Sequence, residues 1–219
     1  MKKPIFLAIT IIAGILIANP AFSQKANKDD NNTGETGTIT DSRDGKTYKT
    51  VKIGEQWWMA ENLAYDVGDG SWAYNSDESN VKTYGRLYRW KAAKKACPAG
   101  WHLPTDDEWK QMEKAIGMGQ IEAEDTGWRG TNEGTKLKAT SGWIDNGNGT
   151  DDYGFSGLPG GYRYPGGSFI TMGSTGVWWS ATVYATSTAL SRYLRCDRTT
   201  IFRYYTYEEY GFSVRCVKD

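Results

Sequence analysis

The 219-residue chain balances 26 Lys and Arg against 26 Asp and Glu and carries one histidine. No basic stripe points to nucleic acid and no polybasic amphipathic stretch to a membrane surface; the lone histidine excludes histidine-cluster metal sites and leaves a Ser-His-Asp triad hard to assemble. Ten Trp and fourteen Tyr are the outlier, suited both to a core of many short strands and to flat ligand platforms.

In chain order, Lys2 and Lys3 precede an uncharged apolar run, Ile5 to Ala18, and Ala21-Phe22-Ser23 places small residues where a signal peptidase reads. Residues 1–23 are expected to be a cleaved signal peptide. The run is shorter than the roughly 20 apolar residues of a membrane span, and no cysteine stands near the cleavage site to take a lipid. The expected location is secreted or cell-surface, with no membrane span after cleavage. Losing Lys2 and Lys3 leaves 24 basic groups against 26 acidic. Residues 24–37 are polar and almost free of apolar side chains, so burial cannot offset their ordering entropy and a flexible linker is expected. Residues 38–219 then form one domain, a length that supports a single core.

Asp44-Gly45 is a turn signal, Lys46 to Ile53 alternates, Gly54-Glu55 turns the chain, and Gln56 to Ala60 is apolar: a β-hairpin. Asp66 to Asn80 reads as a loop. Gly85 to Cys97 predicts a helix with Leu87, Tyr88, Ala92 and Ala96 on one face, ended by Pro98-Ala99-Gly100. Thr105-Asp106-Asp107-Glu108 is a capping box that opens a second helix, with Trp109, Met112, Ala115 and Ile116 as its apolar face and Gly117 as its stop. Beyond Gly117 short segments alternate with turns, and strands are expected at Val177 to Thr182, Ser191 to Asp197 and Gly211 to Val217. Early helices followed by short antiparallel strands give an α+β class.

The segments Trp57 to Leu63, Tyr84 to Tyr88, Cys97 to Thr105, Gly134 to Ala139, Tyr153 to Ser156, Leu158 to Arg163, Trp178 to Thr182 and Gly211 to Val217 recur in an order that resembles the Fibrobacter succinogenes major paralogous domain. The resemblance implies a C-type lectin-like fold, with two early helices packed on short antiparallel strands and long irregular loops. It implies an exported or surface protein and carries no established activity. In that fold the places held here by Cys97 and Cys216 are joined by a disulfide. Cys196 is then left over, as a small buried hydrophobe or, alternatively, an intermolecular or reactive thiol.

His102, between Trp101 and Leu103-Pro104, is expected to be structural. Asp145, Asn146, Asn148, Asp151 and Asp152 put hard oxygens on one flexible loop, the donor type calcium takes, but the spacing is not an EF-hand and Asx turns explain the same residues without metal. No cofactor is expected otherwise. Trp178-Trp179 is the leading ligand candidate: neighbours on a strand face opposite ways, so one ring can fill the core while the other stacks on a sugar, unless both are core. Tyr162, Arg163, Tyr164, Trp143, Asp151 and Asp152 are expected on the same face. The function expected is a non-catalytic binding module for polysaccharide or another surface protein. One alternative is an enzyme related to the formylglycine-generating enzymes, which share a Leu-Pro-Thr-x-x-Glu-Trp signature (here Leu103 to Trp109) but work through a cysteine pair. The other is a purely structural surface component.

Overall fold

The computed structural model describes Met1 and residues 34–219. The expected signal peptide apart from Met1, and residues 24–33 of the expected linker, lie outside the described residues. The strands are β1 (Thr36–Thr40), β2 (Thr47–Ile53), β3 (Gln56–Met59), β4 (Ser71–Trp72), β5 (Leu87–Arg89), β6 (Trp101–His102) and β7 (Gly127–Arg129). They continue with β8 (Tyr162–Arg163), β9 (Phe169–Ile170), β10 (Thr175–Ala185), β11 (Thr188–Arg195), β12 (Ile201–Tyr207), β13 (Gly211–Phe212) and β14 (Val217–Lys218). The helices are α1 (Val81–Tyr84), α2 (Trp90–Ala93), α3 (Asp106–Ala115) and α4 (Glu133–Leu137). The class is α+β and mainly β, with three antiparallel sheets ordered β1-β2-β3-β14-β6, β10-β11-β12-β7 and β4-β5-β13-β8-β9.

The hairpin forms as the alternation predicts, β2 pairing with β3 across Gly54-Glu55. Thr36 and Gly37 belong to β1, not to a linker: β1 pairs with β2 from Thr36 opposite Val51 to Thr40 opposite Thr47. Its polar side chains concealed it, because an edge strand can be ordered by its backbone ladder without burying much apolar surface. The helix expected over Gly85 to Cys97 shrinks to α2. Leu87 and Tyr88 are both buried, facing opposite sides of a strand that pairs with β4 and β13.

Helix α3 starts where its capping box places it, Thr105 accepting from the Glu108 N–H while the Glu108 carboxylate accepts from the Thr105 N–H. Trp109, Met112 and Ile116 are buried, but Ala115 is exposed. The helix also buries Glu113 and Asp106, which meet Arg129, Arg192 and Arg203 from β7, β11 and β12.

Two hydrophobic cores lie on opposite sides of β10. Trp178 faces one with Trp58, Trp109 and Phe155, and Trp179 faces the other with Tyr88, Trp90 and Phe212. The Cys97–Cys216 disulfide, with Cα atoms 5.9 Å apart, ties the turn after α2 to the residue before β14. A second link is made by His102, whose ring bonds Glu108 (2.8 Å) and Asp219.

Burial alone lowers the His102 pKa, but the hydrogen bonds to Asp219 and Glu108 outweigh it and hold the pKa above its ordinary 6.5. A raised folded-state value contributes stability that is present in full below the unfolded pKa and is lost as pH rises through the folded one. His102→Asn is therefore expected to lower the melting temperature more at about pH 5.5 than at about pH 8.5. Equal losses at both pH values would show that the charged form of the ring is not what the carboxylates hold.

Candidate functional site

Strand pairing puts Tyr193, Ser191 and Ala189 of β11 opposite Phe202, Tyr204 and Thr206 of β12, and Trp128 of β7 opposite Phe202, all on one face of the four-stranded sheet. On the β10 side this face is covered by the core around Trp179 and Phe212. Toward β12 and β7 it opens into a groove of about 300 Å³ lined by Tyr162, Tyr193, Tyr204 and Tyr210, with Tyr205, Tyr207, Thr188 and Thr206 completing it. A cleft of about 450 Å³ continues it, sharing Tyr162 and Tyr193 and adding Trp128, Phe202, Ser174, Thr171 and Arg195.

The walls are preorganised by one another. Tyr184, Tyr205 and Tyr204 form a pile of three rings with successive centroids 4.3 Å apart, and Phe202 and Trp128 extend the series at 5.4 and 5.0 Å. On the other side Tyr210 lies 6.1 Å from Tyr162 and 5.2 Å from Tyr164. Rings already held in place lose less freedom when a ligand arrives. Burial pushes the Tyr193 phenol up to about 12 and raises Tyr162 and Tyr210 as well, so these hydroxyls stay protonated and can donate. At the far end Thr171, a β-branched residue, is held at φ +64°, and its buried hydroxyl lacks a hydrogen-bond partner among the described residues. Strain of that kind collects at ligand sites. A cleft of about 560 Å³ beside β1 and β2 has no aromatic lining and lacks this chemistry.

A family model described as the Fibrobacter succinogenes major domain matches residues 51–218. The chain belongs to that family. No curated protein and no solved structure matches it. Several segments that carry the family resemblance converge on one buried node. The Arg215 guanidinium donates to Asn62 Oδ1 (2.7 Å) and to the carbonyls of Met59, Phe155 and Ser156, and Asn62 Oδ1 also accepts from Trp178 Nε1 (2.9 Å). In this chain the node ties together β3, the segment around Phe155, β10 and the segment before β14. Among the groove residues, only Tyr162 comes from a motif segment.

The ligand candidates read from sequence are not brought together. Trp143, Trp178 and Trp179 are 5, 1 and 0 % exposed, which corrects their assignment to a ligand face. Trp178 and Trp179 do face opposite ways, but both faces of β10 are covered. Their indole N–H groups are engaged by Asn62 and the Tyr88 carbonyl, and that of Trp143 by the Gly157 carbonyl. Tyr162 lines the groove and Tyr164 is exposed beside it, whereas Arg163 alternates to the other face of its sheet. Asp151 accepts from the Ser156 N–H and hydroxyl in a local turn, and Asp152 is exposed on the same turn; neither lines the groove.

In the loop weighed for calcium, Asp145 and Asn146 adopt left-handed conformations and Asn148 Oδ1 accepts from the Trp143 N–H. Among the described residues no group of three or more His, Cys, Asp or Glu side chains is arranged so that it could hold a metal ion. Its glycines have packing reasons. A Cβ on Gly147 would stand 2.4 Å from Cys196, and one on Gly149 would stand 2.3 Å from the Lys138 and Thr135 carbonyl oxygens.

Cys196 is free and half-buried on the wall of the groove's far end. The tyrosines of β11 and β12 were missed in the sequence. Their signal was present in Ile-Phe-Arg-Tyr-Tyr-Thr-Tyr, Ile201 to Tyr207, a run of strong strand formers.

Proposed function

We propose that this domain is an exported, non-catalytic module that binds an extended neutral polysaccharide along the tyrosine-walled groove. The carrying observation is a groove about 300 Å³ in volume, lined by tyrosines and threonines and by no charged side chain. Tyrosine rings offer faces for the C–H side of a sugar and hydroxyls for its polar edge, a match for a ligand that is itself amphipathic. Stacking contributes on the order of 1 kcal/mol per ring, so a few rings give weak binding per site, and repeated sites on a polymer supply avidity. No cofactor enters the reading, and calcium is not required for it.

Export is supported by the basic and apolar pattern of residues 1–23 and by the disulfide, a feature of oxidising compartments. A C-type lectin-like placement of the fold is supported by that same bridge between the turn after α2 and the end of the chain. An enzyme working through a cysteine pair is disfavoured, because the bridge leaves Cys196 alone.

The test is retention of the folded protein on cellulose, xylan and mucin. Tyr204→Ala and Tyr210→Ala are each expected to weaken binding about fivefold, and the double variant about twenty-five-fold, with unchanged circular dichroism. If the wild type binds none of these polymers, the glycan reading fails and a protein partner replaces it.

A further inference from the structure

The other face of the β4-β5-β13-β8-β9 sheet carries a second surface with different chemistry. Gly211 of β13 pairs with Arg89 of β5 on one side and Arg163 of β8 on the other, and Arg163 pairs with Phe169 of β9. These residues therefore form a row across four strands. The Trp72 ring occupies the space above Gly211, where a Cβ would stand 3.2 Å from it. The Arg163 guanidinium sits 4.0 Å and the Arg89 guanidinium 5.6 Å from the Trp72 ring centroid. Trp72, Arg89, Arg163 and Phe169 are all half-buried, so the row is both structured and reachable.

Its charge is poorly matched by protein groups. Among the described residues Arg163 forms no ion pair and bonds the Tyr164 carbonyl at 3.3 Å. Arg89 has Asp69 at 3.8 Å, and that carboxylate is 93 % exposed. Burial, and secondarily the neighbouring Arg89, push the Arg163 pKa down. An adjoining cleft of about 450 Å³ adds Lys91 and Lys95 around Arg89, against Asp69. Lys91 also has Glu208 at 3.8 Å.

We propose that this surface is a second ligand site, for an oxyanion-bearing polymer, with a polyuronate as its occupant. Guanidinium forks match carboxylates in a bidentate way, and the Trp72 and Phe169 rings provide flat contact between them. The site is independent of the groove, which lies on the opposite face of this sheet and whose tyrosine-walled part carries no charged side chain, so failure of either reading leaves the other standing.

The experiment is retention on immobilised polygalacturonate, with dextran sulfate and a neutral polymer as parallel arms. Retention on polygalacturonate is expected at about 20 mM salt and release by about 300 mM, as screening requires. Arg89→Gln/Arg163→Gln is expected to weaken it at least about thirtyfold, with neutral-polymer binding unchanged. Lys95→Gln, in the adjoining cleft, is expected to weaken it about threefold and serves should the double variant fold poorly. A wild type not retained on polygalacturonate at low salt, or a folded double variant retained like the wild type, overturns the proposal. Retention on dextran sulfate alone overturns the polyuronate assignment.

Discussion

Glu113→Ala is expected to cost the domain about 3–5 kcal/mol, a large part of the roughly 5–15 kcal/mol that holds a typical domain folded. Glu113 is fully buried and accepts from Arg192 Nε at 2.6 Å and from Arg129 Nη2 at 2.8 and 2.9 Å. Both guanidinium groups are buried with it, their side chains 1 % exposed. Asp106 offers Arg192 a second carboxylate at 2.8 Å but already holds Arg203 at 2.7 and 2.9 Å, so it cannot take over both orphaned cations. Removing Glu113 leaves Arg129 with no carboxylate in an interior where an unpaired charge is expensive. The melting temperature should fall by about 10 °C or more. Replacing the whole set, Glu113→Leu with Arg129→Met and Arg192→Met, should recover most of the loss, because well-packed apolar side chains can substitute for a buried ion network. A Glu113→Ala protein that melts within about 2 °C of wild type would show that water reaches these arginines.

That network explains part of what the sequence conceals. The capping box at Thr105 to Glu108 was legible because its partners lie three residues apart, and the hairpin at Gly54-Glu55 because turn and alternation are local. Nothing local marks Glu113 and Asp106 as buried, since their arginine partners stand 16 to 97 residues away. Trp178-Trp179 raised the same difficulty. Adjacency on a strand fixed that the rings point opposite ways; whether each side is solvent or core depends on the elements laid over β10. The groove is assembled from Tyr162, Tyr193, Tyr204 and Tyr210, brought together by the pairing of β11 with β12 and of the distant β8 with β13. The β12 run was readable as strand by composition, but aromatic residues on both its faces erase the period-two contrast that separates an inner face from an outer one. Family motifs led to the Asn62–Arg215 node, which carries packing, whereas the groove is built almost entirely from residues between them.

The bridge between Cys97 and Cys216 is the other feature on which the fold depends heavily. It closes a loop of 119 residues, for which the chain-entropy model gives about 4–5 kcal/mol, most of it from restricting the unfolded chain. Cys216 is fully buried beside Val214 and Phe212 in the Trp179 core, and its carbonyl accepts from Met59, so the bridge anchors the last strand where three chain segments meet. Cys97→Ala/Cys216→Ala keeps both side chains small and apolar and adds no unpaired polar group. Its destabilisation therefore reports the lost cross-link more than altered packing. A fall in melting temperature on the order of 10 °C is expected, and reductant should lower the wild type by a similar amount while leaving the double variant unmoved. Thiol counting supplies an independent reading. The native protein should react at one cysteine, the half-buried Cys196, and the reduced, unfolded chain at all three. A non-reducing peptide map that places Cys196 in the intramolecular bridge, or a double variant as stable as the wild type, would remove this account of how the end of the chain is held.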